Sequence, residues 1–166
     1  MSAVGRVAAL IPAVAARVPG AAARVPALAS RVPGSTAVVD FVGGGREGPW
    51  RVLVVEGSMH PALEEGDWLL VDPTVRDWPR RGTIVVFREP GADLLSIKRV
   101  AAGPGDVVRT QDGPIRLDPT QAWLLGDDRA ISRDSREYGP VRSDRLLARA
   151  WFRYGPAGRT GRLTAP

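Results

Sequence analysis

One lysine stands among 22 arginines in this chain of 166 residues, at Lys98 in the run Ser96-Ile97-Lys98-Arg99-Val100. A surface charge, a phosphate contact or an ion pair can each be made by arginine. A proton acceptor cannot, because guanidinium stays charged in proteins while a desolvated ammonium can lose its proton near neutrality. Earlier in the chain, Glu56-Gly57-Ser58-Met59-His60-Pro61 puts a serine on a tight turn, with glycine before it and proline stiffening the exit. A serine so placed is exposed, and its own amide can point at a developing oxyanion. A neutral lysine beside such a hydroxyl performs nucleophilic catalysis without histidine. The single histidine, His60, is read as a turn residue, and with no cysteine the chain has neither a thiol nucleophile nor thiolate metal ligands. A Ser-His-Asp triad and a zinc site are both set aside, and no metal or other cofactor is implied.

A third stretch, Gly126-Asp127-Asp128-Arg129-Ala130-Ile131-Ser132-Arg133-Asp134-Ser135-Arg136, interleaves serines with acids and arginines after an apolar run. Such a cluster can hold a hydrogen-bond network that orients a lysine. Each segment alone has a plainer reading. Gly-Ser followed by Pro is an ordinary turn, a lysine at a strand edge snorkels to water, and a mixed-charge loop is solvated.

These residues must be carried by strands. Val52–Glu56, Trp68–Asp72, Thr83–Arg88, Leu94–Ala101, Val107–Thr110, Ala122–Leu125 and Leu147–Tyr154 are short apolar runs closed by Gly, Pro or Asp. A short helical turn is expected within Ser58–Glu65, and no long helix is. The pattern predicts a mainly β domain, a small barrel or folded sheet, over residues 50–155. Within it Lys98 falls in an apolar strand, where a charge is costly and the pKa is lowered, as a general base requires.

Residues 1–49 are read as a low-complexity, Arg/Ala/Pro-rich and disordered segment, and 156–166 as a flexible tail. In the first, Arg-Val-Pro recurs at 17–19, 24–26 and 31–33, and the regular prolines disfavour both a helix and a zipper. The net charge of +5 and pI near 10.8 are compatible with nucleic acid or an anionic membrane. With no clustered basic helix face, nucleic acid is not expected as a partner. No stretch has the ~18 uncharged apolar residues of a bilayer span, and Val7–Ala16, broken by Pro12, is at most a weak signal-peptide core. Membrane contact is therefore expected only through the basic N-terminal segment, and a cytoplasmic location is expected.

Taken in order, the three segments resemble the signal peptidase family of Ser/Lys endopeptidases. Ser58-Met59-His60-Pro61 with Gly66-Asp67 matches its nucleophile motif, and Lys98-Arg99 with Pro104-Gly105-Asp106 matches its lysine motif. Gly126-Asp127-Asp128 with Ser132-Arg133-Asp134-Ser135-Arg136 matches its third motif. The resemblance implies Ser58 as nucleophile and oxyanion donor through its amide, and Lys98 as general base. It implies Ser132 as the hydroxyl orienting the amine, with Asp127, Asp134 and Arg136 in support. Glu56 stands where the family often has a second oxyanion donor, and a carboxylate cannot donate. Asp128 and Ala62 replace the usual Asn and Thr. The substrate implied is a precursor polypeptide lying as an extended strand beside the sheet edge near Ser58. The large β-domain that some members insert between Asp106 and Trp123 has no room here.

The small build and the stretch Asp134–Val141 are most similar to the subgroup that matures nickel-type superoxide dismutase by removing a short leader. A type I signal peptidase acting on secretory precursors is the alternative. A self-cleaving repressor of related fold needs a helix-turn-helix that the Pro-periodic N-terminus cannot form. A silent, peptide-binding member is the remaining alternative.

Overall fold

Apolar runs cut by Gly, Pro and Asp close into strands because each can bury its side chains only against neighbouring strands. The computed structural model describes residues 37–40, 50–92 and 94–163. Its strands are β1 (Ala37–Asp40), β2 (Trp50–Val54), β3 (Trp68–Asp72), β4 (Ile84–Arg88), β5 (Leu95–Ala102), β6 (Val107–Thr110), β7 (Gly113–Arg116), β8 (Gln121–Leu125), β9 (Val141–Arg142), β10 (Leu146–Gly155) and β11 (Gly161–Arg162). One helical turn, α1, spans Ser135–Tyr138. The main sheet runs β1-β2-β3-β10-β4-β5-β8-β9, with β11 also on β10, while β6 and β7 form a separate hairpin. The protein is mainly β and antiparallel.

The middle of the sheet is buried on both faces. Strand β4 reads Ile84-Val85-Val86-Phe87 without alternation, the pattern of a strand covered on both sides. Ile84 and Val86 join Val52, Val54, Leu69, Val71 and Ile97 in one core. Val85 and Phe87 join Val100, Ala122, Leu124 and Val141 in the other. Side chains alternate along a strand, so Ile97 of β5 enters the first core while Ser96, Lys98 and Val100 share the second face. Lys98 pairs in register with Val85. The only lysine is thus set in a wall of aliphatic side chains.

At the end of β2 the chain makes a short helical turn of 3-10 type, Gly57–Met59, at the start of the stretch where one was expected. Pro61 has no N–H to continue it, and Gly66, at φ 91°, reverses the chain before β3. Met59 and Leu63 are fully buried in the first core and pin the turn there. Asp67 pins it from the other side. Its Oδ2 accepts from the Glu64 amide at 2.9 Å, Arg153 Nη1 at 3.0 Å and Arg159 Nη2 at 3.2 Å. Arg153 also donates to the Ala62 carbonyl at 3.0 Å.

Two findings differ from the sequence pattern. Strand β1 lies inside the segment read as low-complexity and pairs antiparallel with β2, from Ala37↔Val54 to Asp40↔Arg51. The Arg-Val-Pro repeat lies outside the described residues. In the segment read as a flexible tail, Ala157–Arg159 forms a 3-10 turn and β11 pairs with β10, held by the Arg159 contacts to Asp67 and Glu64. Between Asp106 and β8 lies the β6–β7 hairpin and no larger insertion.

Candidate active site

The turn after β2 and strand β5 bring the first two motifs together. Lys98 Nζ lies 2.7 Å from Ser58 Oγ. Lys98 is 0% exposed and Ser58 1%. The serine expected to be exposed on its turn is instead covered, because Met59 beside it is drawn into the core and the loop after β8 packs on its carbonyl. Burial pulls the lysine pKa from 10.5 down to about 8, against the opposing pull of the Asp134, Glu89, Glu56 and Asp127 carboxylates. Desolvation therefore outweighs the combined pull of four negative charges. At pH 7 about a tenth of such a lysine is neutral, a large enough fraction to act as a base.

The third motif packs over Ser58. The Asp128 amide donates to the Ser58 carbonyl at 3.1 Å. Gly126 makes this approach feasible: a Cβ there would stand 2.1 Å from Ser132 Oγ and 2.6 Å from the Ser58 carbonyl oxygen. No side chain fits, so glycine is required by contact rather than by dihedral angle.

Asp134 organises the loop. It is 1% exposed and accepts from the Gly126 amide (3.0 Å), Ser132 Oγ (2.9 Å), the Arg136 amide (3.1 Å), Arg136 Nε (2.8 Å) and Arg136 Nη2 (2.7 Å). Burial alone would raise its pKa, but the hydrogen bonds led by Arg136 hold it below the usual carboxylate range. The same side chain caps α1. Ser132 donates its proton to Asp134, leaving lone pairs to accept from an ammonium. Asp127 forms a two-point ion pair with Arg99, Nε to Oδ1 at 2.8 Å and Nη2 to Oδ2 at 2.6 Å. Arg99 also donates to the Gly82 carbonyl at 2.7 Å. This fixes the residue beside Lys98 to the loop after β8.

Of the residues singled out from sequence, Ser58 and Lys98 meet directly, Ser132 and Arg136 both bond Asp134, and Asp127 pairs with Arg99, the neighbour of Lys98. His60 is exposed, its amide closing the turn on the Gly57 carbonyl at 2.8 Å. The sequence reading quoted Gly126, Ser96 and Arg133 within its motifs without giving them a role, and it passed over Glu89 altogether. Glu89 in Phe87-Arg88-Glu89-Pro90 looks like any polar strand ending, and only the fold shows that it is 1% exposed. A group of three or more metal-ligating side chains is absent among the described residues. No helix among them is long and apolar enough to cross a membrane.

Residues 49–121 match the family described as "Signal peptidase, peptidase S26". The chain is 32% identical to "Probable signal peptidase I-2" of Synechocystis sp., covering 67% of this chain and 65% of that protein. It is 32% identical to "Probable signal peptidase I-1" of the same organism, covering 64% of this chain and 71% of that protein. Identity reaches 36% with "Mitochondrial ATP-independent inner membrane protease subunit 1b" of Arabidopsis thaliana, over 62% of this chain and 72% of that one. The chain thus spans a little under two thirds of the first relative and somewhat more of the other two.

Proposed function

The chain belongs to the signal peptidase family, peptidase S26, and from that premise we propose that it is a serine endopeptidase that removes N-terminal leader peptides from precursor proteins. The 2.7 Å contact between Lys98 Nζ and Ser58 Oγ, with the amine fully buried, carries this reading. When Lys98 is neutral the hydroxyl donates to the amine. Ser58 Oγ then attacks the scissile carbonyl as its proton passes to Nζ. The Ser58 amide donates to the oxyanion, and the ammonium accepts its orientation from Ser132 before protonating the departing amine. Water, deprotonated by the same amine, releases the ester and frees Ser58.

The substrate enters as an extended strand. One edge of β2 is bonded to β3 and the other to β1, and β1 also lies against β5. A precursor that pairs with the edge leading to Ser58 therefore displaces β1. Cysteines at the register partners Val38 and Leu53, in a chain with no other thiol, lock that strand when oxidised. Cleavage should fall at least tenfold on oxidation and return on reduction, and an unchanged rate would exclude this route of entry.

Two substrates are in view. The names of the relatives support secretory precursors, reached at a membrane through the basic N-terminal segment. The Asp134–Val141 stretch and the short Asp106–Gln121 connection support maturation of nickel-type superoxide dismutase, with a cytoplasmic location. Mass spectrometry decides between them: each precursor is incubated with the protein, the secretory one in detergent, and Ser58→Ala serves as control. Loss of a leader from one precursor, absent with Ser58→Ala, identifies the substrate class. Cleavage of neither, with no acylation of Ser58 by a serine-reactive probe, would leave a peptide-binding protein without protease activity.

A further inference from the structure

Glu89, immediately after β4, is a buried carboxylate that the dyad mechanism does not use. Its Oε2 accepts from Ser96 Oγ at 3.2 Å and its Oε1 from Arg133 Nη1 at 2.8 Å. Its backbone is held as well: the amide donates to the Leu94 carbonyl at 2.9 Å, and its carbonyl accepts from Arg145 Nη1 at 3.1 Å. Ser96 precedes Lys98 by two residues, so the two share a face of β5. Arg133 lies between Ser132 and Asp134. The chain of contacts Ser96–Glu89–Arg133 therefore runs from the strand that carries the amine to the loop that carries the orienting hydroxyl.

A buried carboxylate paired to a half-buried arginine contributes little to stability compared with an apolar filling of the same space, which leaves room for another role. We propose that Glu89 is a positioning residue for Lys98: it ties the Ser132–Asp134 loop to the β5 face and presents a fixed negative charge to the amine. The inference rests on the Ser58/Lys98 reading only for its catalytic consequence. Around Lys98 stand Glu56 before the nucleophile turn, Glu89 after β4, Asp127 after β8 and Asp134 before α1. Asp127, Asp134 and Glu89 each carry an arginine, Arg99, Arg136 and Arg133 respectively. Tyr138 of α1 faces Glu89 and is held as the neutral phenol by burial. Glu89 shares its arginine with Glu137, which Arg133 Nε contacts at 2.8 Å.

Because the chain has one lysine, labelling with 15N-lysine produces a single side-chain amine resonance whose shift reports protonation directly, with no need for cleavage. Glu89→Gln, which removes the charge but keeps an acceptor for Ser96, should lower the titration midpoint by about half a unit to one unit. Arg133→Gln, which leaves the Glu89 charge unshielded, should raise it. Opposite shifts distinguish an electrostatic positioning role from general loosening, which would move both variants the same way. In the full chain the acidic limb of the cleavage profile should follow each midpoint, to lower pH in Glu89→Gln and to higher pH in Arg133→Gln. The plateau kcat above the midpoints should fall about tenfold with KM unchanged. If Glu89→Gln unfolds, the Arg133→Gln shift alone decides. Midpoints within 0.1 unit of wild type in the folded variants would overturn the proposal. Should wild type cleave no precursor, the titration still tests Glu89 and the failure falls on the protease reading alone.

Discussion

Asp67 and Lys98 are both buried single charges in motifs of the family, and the fold treats them in opposite ways. Asp67 is met by opposite charge at contact distance, Arg153 at 3.0 Å and Arg159 at 3.2 Å. Lys98 is met at 2.7 Å by a neutral hydroxyl, with its carboxylates arrayed around it. Burial raises the pKa of Asp67, against the pull of Arg153, and lowers that of Lys98. Both shifts have the same origin, and they differ in consequence. An aspartate braced by two arginines stays a structural anchor, whereas a lysine beside a hydroxyl gains a proton-accepting state within reach of neutral pH. A motif residue is therefore no guide to its role until its nearest partner is known.

The largest test of this contrast is loss of the dyad. Ser58→Ala and Lys98→Arg should each reduce the cleavage rate by about 10⁴-fold or more, while circular dichroism shows Ser58→Ala fully folded. An active Lys98→Arg enzyme would end the general-base role, since guanidinium cannot accept the proton.

Asp67→Ala should act on stability instead. Removing the shared carboxylate leaves two arginines facing each other, at a cost of about 3 kcal/mol, the low end for a broken buried pair because both arginines reach water. Urea denaturation measures that loss. The pH midpoint of cleavage by the folded fraction should not move.

Replacing Lys98 separates the two sites by pH. In the folded protein Lys98 loses its proton near pH 8, and in the unfolded chain near 10.5. Between these values the unfolded state binds more protons, so wild-type stability rises with pH across this window. Below pH 8 the buried charge is a burden of about 3 kcal/mol. Lys98→Met should remove that rise and be the more stable protein at pH 7, as paired urea titrations at pH 7 and 10 would show. A parallel pH dependence in the two proteins would mean that Lys98 titrates normally.

The smallest of these effects concerns Gly126, the point where the loop meets Ser58. Gly126→Ala forces both Ser132 and the Ser58 carbonyl away from the new methyl by about 1 Å, and cleavage should fall about 100-fold with folding retained. A wild-type rate would show that the loop can retreat without consequence.

Much of this was legible from sequence. Strands β3 and β6 occupy the expected residues, and β2, β4, β5, β8 and β10 differ from expectation only near their ends, because apolar runs bounded by Gly, Pro and Asp state their limits locally. Strand β7 was not legible: Gly113 and Pro114 read as loop, yet it needs only the partner β6 and no core. Strand β1 was hidden in a Gly- and Pro-rich neighbourhood, and β9 and β11, each two residues long, exist only because β8 and β10 offer an edge.

By itself the sequence determined the strand-built domain, the singularity of Lys98, and three ordered motifs whose residues do converge. Those are matters of residue type and local spacing. The tertiary structure alone decided that Lys98 lies on a strand buried on both faces, that Gly126 must lack a side chain, and that Glu89 is enclosed between Ser96 and Arg133. Desolvation and close contact are properties of what surrounds a group, and those surroundings come from residues distant along the chain.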